Sequence, residues 1–206
     1  MATSRDIISE ASRLLNDPRN EQWAVRELLD WVNEGLQALV TLLPNQFTTY
    51  TTLTLVSGTK QVLPAGSVGI KACIRSLDPT TSVPIAALEM IKLDSLDSYF
   101  PGWHLAPPAT PEEWAPDPSG NPLVFWVNPP ALAGAKVDVE LISNPAVLQI
   151  DTTIPIEARY HSKLVDYVVY RALSKDADYA GQDGRATLHR NRFYEGANNG
   201  AAQRSG

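Results

Sequence analysis

Three histidines, one cysteine and a loose group of aspartates hold most of the chemical potential of this 206-residue chain. His104, His161 and His189 are never three or four positions apart, so no two of them share a helix face as ligands. A zinc site needs several converging N or S donors, and Cys73 is the single sulfur ligand available. Each imidazole therefore reads as a packing or surface group. Asp176, Asp178 and Asp183 have the loose spacing of an oxygen-ligand loop. They lack the acidic closing residue and the turn glycine of an EF-hand. Asp94 and Asp97, one helical turn apart, read as a solvated face. Gly181-Gln182-Asp183-Gly184-Arg185 follows an expected helix, whereas a phosphate-cradling loop follows a strand. No Gly-x-Ser-x-Gly elbow occurs, and Cys73 alternates within an expected strand, as a buried structural thiol does. The sequence offers no catalytic pair, no metal set and no cofactor motif, and the expectation is a protein that is not an enzyme.

Net charge is −6 and unevenly spread. Residues 1–158 hold 9 Lys/Arg against 18 Asp/Glu, and residues 159–206 hold 8 against 5. A basic end on an acidic body fits a tail that docks on an acidic surface, or else a solvated helix face. Arg185, Arg190, Arg192 and Arg204 lie near Phe193 and Tyr194, a mixture that can grip single-stranded nucleic acid, but the chain as a whole is acidic and has no sequence-reading motif. No apolar run is long enough to span a bilayer, and Met1 to Asp6 lacks the apolar core of a signal peptide. One cysteine forms no intrachain disulfide, which points to synthesis in a reducing cytoplasm.

The elements that would carry these residues change period twice. Ile7, Ile8, Ala11, Leu14 and Leu15 have helical spacing, with Thr3 or Ser4 as N-cap and Asn16-Asp17-Pro18 as the stop. A second helix is expected from Glu21 or Gln22 to Leu43, closed by Pro44, so that the two form an αα-hairpin. From Phe47 the pattern turns to strand. Residues 48–55 are expected as one strand, 57–60 as a turn, 61–63 as a short strand and 69–75 as another. Residues 86–96 are expected as a short helix and 105–120 as a Pro-rich loop. Pro122 to Val127 reads as a strand that Asn128-Pro129-Pro130 stops, and it forms the strongest hairpin candidate with Lys136–Ile142. Helix returns after Pro155, with His161, Leu164, Val165, Val168, Ala172 and Leu173 on one face, and a weaker helix carries Ala186, His189 and Phe193. The expected class is α+β: a helical bundle from residues 1–45 and 155–197, an inserted antiparallel β domain over 46–154, and a flexible tail over 198–206.

Taken in order, these landmarks resemble the head-to-tail adaptor (connector) proteins of tailed bacteriophages, and most closely the group that includes the tail tubular protein A of short-tailed phages. The resemblance rests on Trp31 to Gln37 followed by Leu43-Pro44, then Gly58 to Pro64. Leu96 through Phe100-Pro101-Gly102-Trp103 follows, and then Phe125-Trp126-Val127-Asn128-Pro129-Pro130. It ends on Tyr167 to Asp176, with His189 and Phe193 downstream. This chain has Asn128 where the family pattern leads to an aromatic residue before the prolines.

The resemblance implies a structural virion protein, made in the host cytoplasm. It implies a homo-oligomeric ring, commonly twelvefold, that connects the capsid portal protein to a tail or nozzle protein and lines the DNA exit channel. Genome DNA would pass through without sequence-specific binding, and no membrane is involved. Arg185, Arg190, Arg192, Phe193, Tyr194 and Arg204 are the expected portal-binding residues, and a chain cut after about Ala180 is expected to keep a folded bundle. The rival reading is a helix-flanked β-sandwich module for a glycan or protein ligand, with Trp103, Trp114 and Trp126 exposed for stacking on sugars.

Overall fold

The computed structural model describes residues 2–175 and 182–202. The fold is α+β, with five α-helices and two four-stranded sheets among the described residues. The chain divides into two units, Met1–Phe47 with Pro145–Gly206, and Thr48–Asn144.

In the helical unit, α1 (Ser4–Leu14) starts on a capping box: the Thr3 hydroxyl accepts from the Asp6 N–H, and Asp6 accepts from the Thr3 N–H at 2.8 Å. Ser4, the other cap candidate, is buried and donates to the Gln149 carbonyl. The second helix, α2 (Val25–Leu42), starts later than the periodicity suggests because Asp17 captures the chain first. Its carboxylate accepts the N–H groups of Glu21, Gln22 and Trp23 at 2.8, 3.0 and 2.9 Å, which holds this stretch out of the helix. Leu28, Val32, Leu36 and Leu39 of α2 are fully buried. Gly35 faces α4 (His161–Lys175), where a Cβ would stand 3.1 Å from the Tyr167 ring and 3.2 Å from Leu164. Lys175 pairs with Glu27 and Arg171 with Glu34, which ties α4 to α2. The last helix, α5 (Gln182–Ala202), buries Ala186, His189 and Phe193. Residues 198–202 of the segment expected as a tail continue this helix, and residues 203–206 lie outside the described residues.

The β unit contains β1 (Thr48–Thr54), β2 (Gly58–Val62), β3 (Ser67–Leu77), β4 (Pro84–Ala87), β5 (Glu89–Met90), β6 (Glu113–Pro116), β7 (Val124–Ala131) and β8 (Lys136–Ser143). One sheet has the order β1-β8-β3-β4, antiparallel throughout, and the other the order β2-β7-β6-β5, with β5 and β6 parallel. Val137, Val139 and Leu141 of the first sheet share one core with Phe125, Val127 and Trp114 of the second.

Four expectations are corrected here. Strands β7 and β8 do not form a hairpin, because they belong to different sheets. Each has an apolar inner face, and a sandwich buries two such faces by setting them opposite one another. The crossing runs through Gly134, at φ +85, whose N–H meets the Leu55 carbonyl at 3.1 Å while the Leu55 N–H meets the Ala135 carbonyl at 2.7 Å. Residues 86–96 are not one helix: β4 and β5 come first, and α3 (Leu93–Tyr99) follows. The Pro-rich segment 105–120 contains β6. Asn128-Pro129-Pro130 does not end its strand. The carbonyls of Asn128 and Pro130 accept from the N–H groups of Glu112 and Ala109, both at 2.9 Å, so the prolines are used where only acceptors are needed.

Candidate docking site

The basic residues expected to bind a partner sit on α5, and its packing separates them into two groups. Ala186, His189 and Phe193 form the inward stripe. At roughly 100° per residue, Arg185 and Arg192 fall on one flank of that stripe, and Arg190 and Tyr194 on the other. All three arginines are exposed. Arg185 donates to the Leu14 carbonyl at 3.3 Å, and the Arg190 guanidinium lies 5.4 Å from the Tyr194 ring. The Arg192 carbonyl accepts from the Lys163 ammonium, which leaves its guanidinium on the surface. Among the described residues, none of these three arginines has a carboxylate partner, whereas Arg171 and Lys175 on α4 are both paired.

Phe193 has no exposed surface, and its ring packs 4.9 Å from Tyr167 and 5.0 Å from Tyr194. It anchors α5 to the bundle. Arg204, and the candidates Asp176, Asp178 and Gly181, lie outside the described residues.

The inward stripe also holds a polar contact whose partner the sequence pattern does not name. The His189 Nδ1 lies 2.8 Å from Asp166 Oδ1, with both residues buried between α4 and α5. A hydrogen-bonded imidazole is the ordinary expectation for a histidine on a helix face, and the aspartate amid the apolar face of α4 is its partner.

The other reactive side chains are occupied structurally. His161 Nε2 meets the Ile156 carbonyl at 3.2 Å. His104 Nδ1 meets the Thr59 hydroxyl at 3.0 Å, and its ring lies 3.7 Å from that of Trp103. Burial pushes the Cys73 thiol far up, which disfavours the nucleophilic thiolate. Among the described residues no three His, Cys, Asp or Glu side chains are grouped to hold a metal ion, and no helix is long and apolar enough to cross a membrane.

The three tryptophans Trp103, Trp114 and Trp126 do not form a sugar platform. Trp103 is completely buried and donates its indole N–H to Asp97 at 2.8 Å, so that carboxylate is not merely solvated. Trp114 is 4% exposed. Trp126 is half-buried, donates to Asp117 at 3.1 Å and meets the edge of Trp103. Stacking on a glycan needs open ring faces, and two of the three rings have none.

Exposed arginines on one helix that have no carboxylate partner among the described residues suit contact with another macromolecule. The chain matches the SU10 adaptor protein family over residues 2–206, and it belongs to that family. It is a phage adaptor, a structural component of the virion. No curated protein matches it.

Proposed function

We propose that the protein is a subunit of a ring, commonly twelvefold, that joins the capsid portal to the tail and surrounds the DNA exit channel, as in the tail tubular protein A group. The observation that carries this reading is the set of exposed arginines on α5, Arg185, Arg190 and Arg192, which among the described residues have no carboxylate partners. Exposed cations on a helix that is itself anchored by Phe193 suit an acidic partner surface. In this reading the bundle of residues 1–45 and 155–197 presents α5 to the portal. The inserted domain over 46–154 meets ring neighbours and a tail or nozzle protein. In the same reading Arg204 adds to the contact with the portal.

The charge of the body supports passage of DNA. Residues 48–144 hold 5 Lys/Arg against 9 Asp/Glu. Acidic walls repel the phosphate backbone, and DNA slides past them without sticking.

The test replaces Arg185, Arg190 and Arg192 together by Glu and mixes the variant with portal rings under electron microscopy. Exposed substitutions of this kind leave folding almost unchanged. Loss of co-assembly with an unaltered melting curve is expected; co-assembly equal to wild type would overturn the portal role of α5.

A further inference from the structure

We propose that neighbouring copies join edge to edge through the antiparallel sheet, with β4 of one copy pairing with β1 of the next. The proposal rests on the ring reading and assigns it a surface. The strand order β1-β8-β3-β4 leaves β1 and β4 as the two open edges of one sheet. Open edges expose a row of backbone donors and acceptors, and proteins that stay monomeric block them with charges, prolines or bulges. The sequences here are Thr-Thr-Tyr-Thr-Thr-Leu-Thr and Pro-Ile-Ala-Ala, without a charged residue in either. Pro84 and the register shift beside it, opposite Ser76 and Leu77, disturb only the start of β4 and leave Ala86 and Ala87 in regular pairing. The other sheet provides the contrast, because its edge strands β2 and β5 contain Lys60 and Glu89.

Exposure follows the same division. All four residues of β4 are exposed, with Ile85 at 53%, and so are Thr49 to Thr52 of β1, with Tyr50 at 75%.

Strand direction decides the partner. Each neighbouring pair in this sheet is antiparallel and the strands number four, so β1 and β4 run in opposite directions. A copy related by rotation about a ring axis then brings its β1 antiparallel to the first copy's β4, and the alternation continues across the seam. Such a contact uses different patches on the two copies, and heterologous contacts of this kind generate rings when the rotation closes. A seam of four to seven residues is smaller than a standard interface of about 1,600 Å². One seam is therefore weak, and closure makes the ring stable because each copy is held at both edges.

The test uses the full chain with Thr51→Lys or Ile85→Lys, both at exposed positions, with circular dichroism as the folding control. Assembly is followed by analytical ultracentrifugation, and on portal rings by electron microscopy. Wild type is expected to associate beyond the dimer, and each lysine to raise the half-assembly concentration about tenfold. At the wild-type half-assembly concentration an equimolar mixture of the two variants is expected to favour dimers over larger species, since each weakens a different edge. Folded variants that assemble like wild type overturn the edge pairing and leave the ring reading intact. Assembly blocked by Thr51→Lys but untouched by Ile85→Lys overturns the head-to-tail arrangement. A wild-type chain that stays monomeric both free and on portal rings overturns the ring reading and the seam together.

Discussion

His189 Nδ1 and Asp166 Oδ1 meet at 2.8 Å in the seam between α4 and α5, and each residue is less than a tenth exposed. They are the buried polar link in a contact that includes Phe193 and Ala186, and Lys163 adds an exposed one to the Arg192 carbonyl. A buried polar group that loses its partner keeps its full desolvation cost. His189→Ala is therefore expected to destabilise the protein by ~1–3 kcal/mol. Replacing both partners at once, as in His189→Leu with Asp166→Leu, is expected to cost less than the sum of the single changes. A double-mutant cycle by urea denaturation measures the difference, and strict additivity would show that the pair is not coupled.

Gly35→Ala sets two effects against each other. Alanine in place of glycine favours a helix by roughly 0.5–1 kcal/mol. The new methyl would meet the Tyr167 ring at 3.1 Å and Leu164 at 3.2 Å. Neither neighbour has room to retreat, since Leu164 is fully buried and Tyr167 is backed by Phe193. Overpacking of this kind costs ~1–3 kcal/mol, so the net change is expected to be destabilising by about 1 kcal/mol. A lower urea midpoint with an unchanged slope is the signature. A variant more stable than wild type would mean that α2 and α4 separate freely at this crossing.

Much of this was legible in the sequence, and what was missed has a common physical origin. Helices α1, α2 and α4 followed from apolar residues at 3.6-residue spacing, because each buries one face. Their boundaries shifted where a side chain captured the backbone, as Asp17 does ahead of α2. Strands β7 and β8 were legible as strands, but not the sheets they join. Alternation reports which face is buried and says nothing about which strand lies alongside. The Leu55 contacts that carry the crossing link residues some eighty positions apart. On α5, the arginines were legible by composition. The burial of Phe193 was not, since an aromatic residue between arginines reads equally as an anchor or as a ligand platform.

Asp17 makes stability depend on pH in a defined direction. The Trp23 N–H above all, then those of Glu21 and Gln22, hold its carboxyl below the usual carboxylate range, against an opposing effect of burial. A depressed folded value means that the stabilisation is complete above the ordinary Asp value, about 3.9, and is lost as pH falls through the lower folded value. Asp6, capped by Thr3, and Asp151, paired with Arg5, are held low in the same unit and contribute in the same window. Asp17→Asn is therefore expected to flatten the fall of stability below about pH 4 without abolishing it, and to leave the slope between pH 5 and 7 unchanged. Urea midpoints measured across this range check the point; identical acid slopes for variant and wild type would show that Asp17 binds no fewer protons when folded.

Phe193 and the arginines beside it separate folding from docking on one helix. Phe193 is fully buried, and Phe→Ala changes at such sites cost ~3–5 kcal/mol. Arg192 is exposed with no ion pair among the described residues, and surface changes of that kind stay within ~0.5 kcal/mol. Phe193→Ala is thus expected to lower the melting temperature sharply, and Arg192→Glu to leave it in place while weakening portal capture. The same contrast decides what truncation does. A chain cut after about Ala180 loses Phe193, Ala186 and the His189 partner of Asp166 together, which uncovers the α4 face at Tyr167. That truncation is expected to unfold or aggregate the helical unit rather than give a folded bundle that merely fails to bind. Light scattering and circular dichroism on the truncated chain decide it. A soluble, cooperatively melting product would show that α5 adds little to the bundle, and that Phe193 is available for a partner after all.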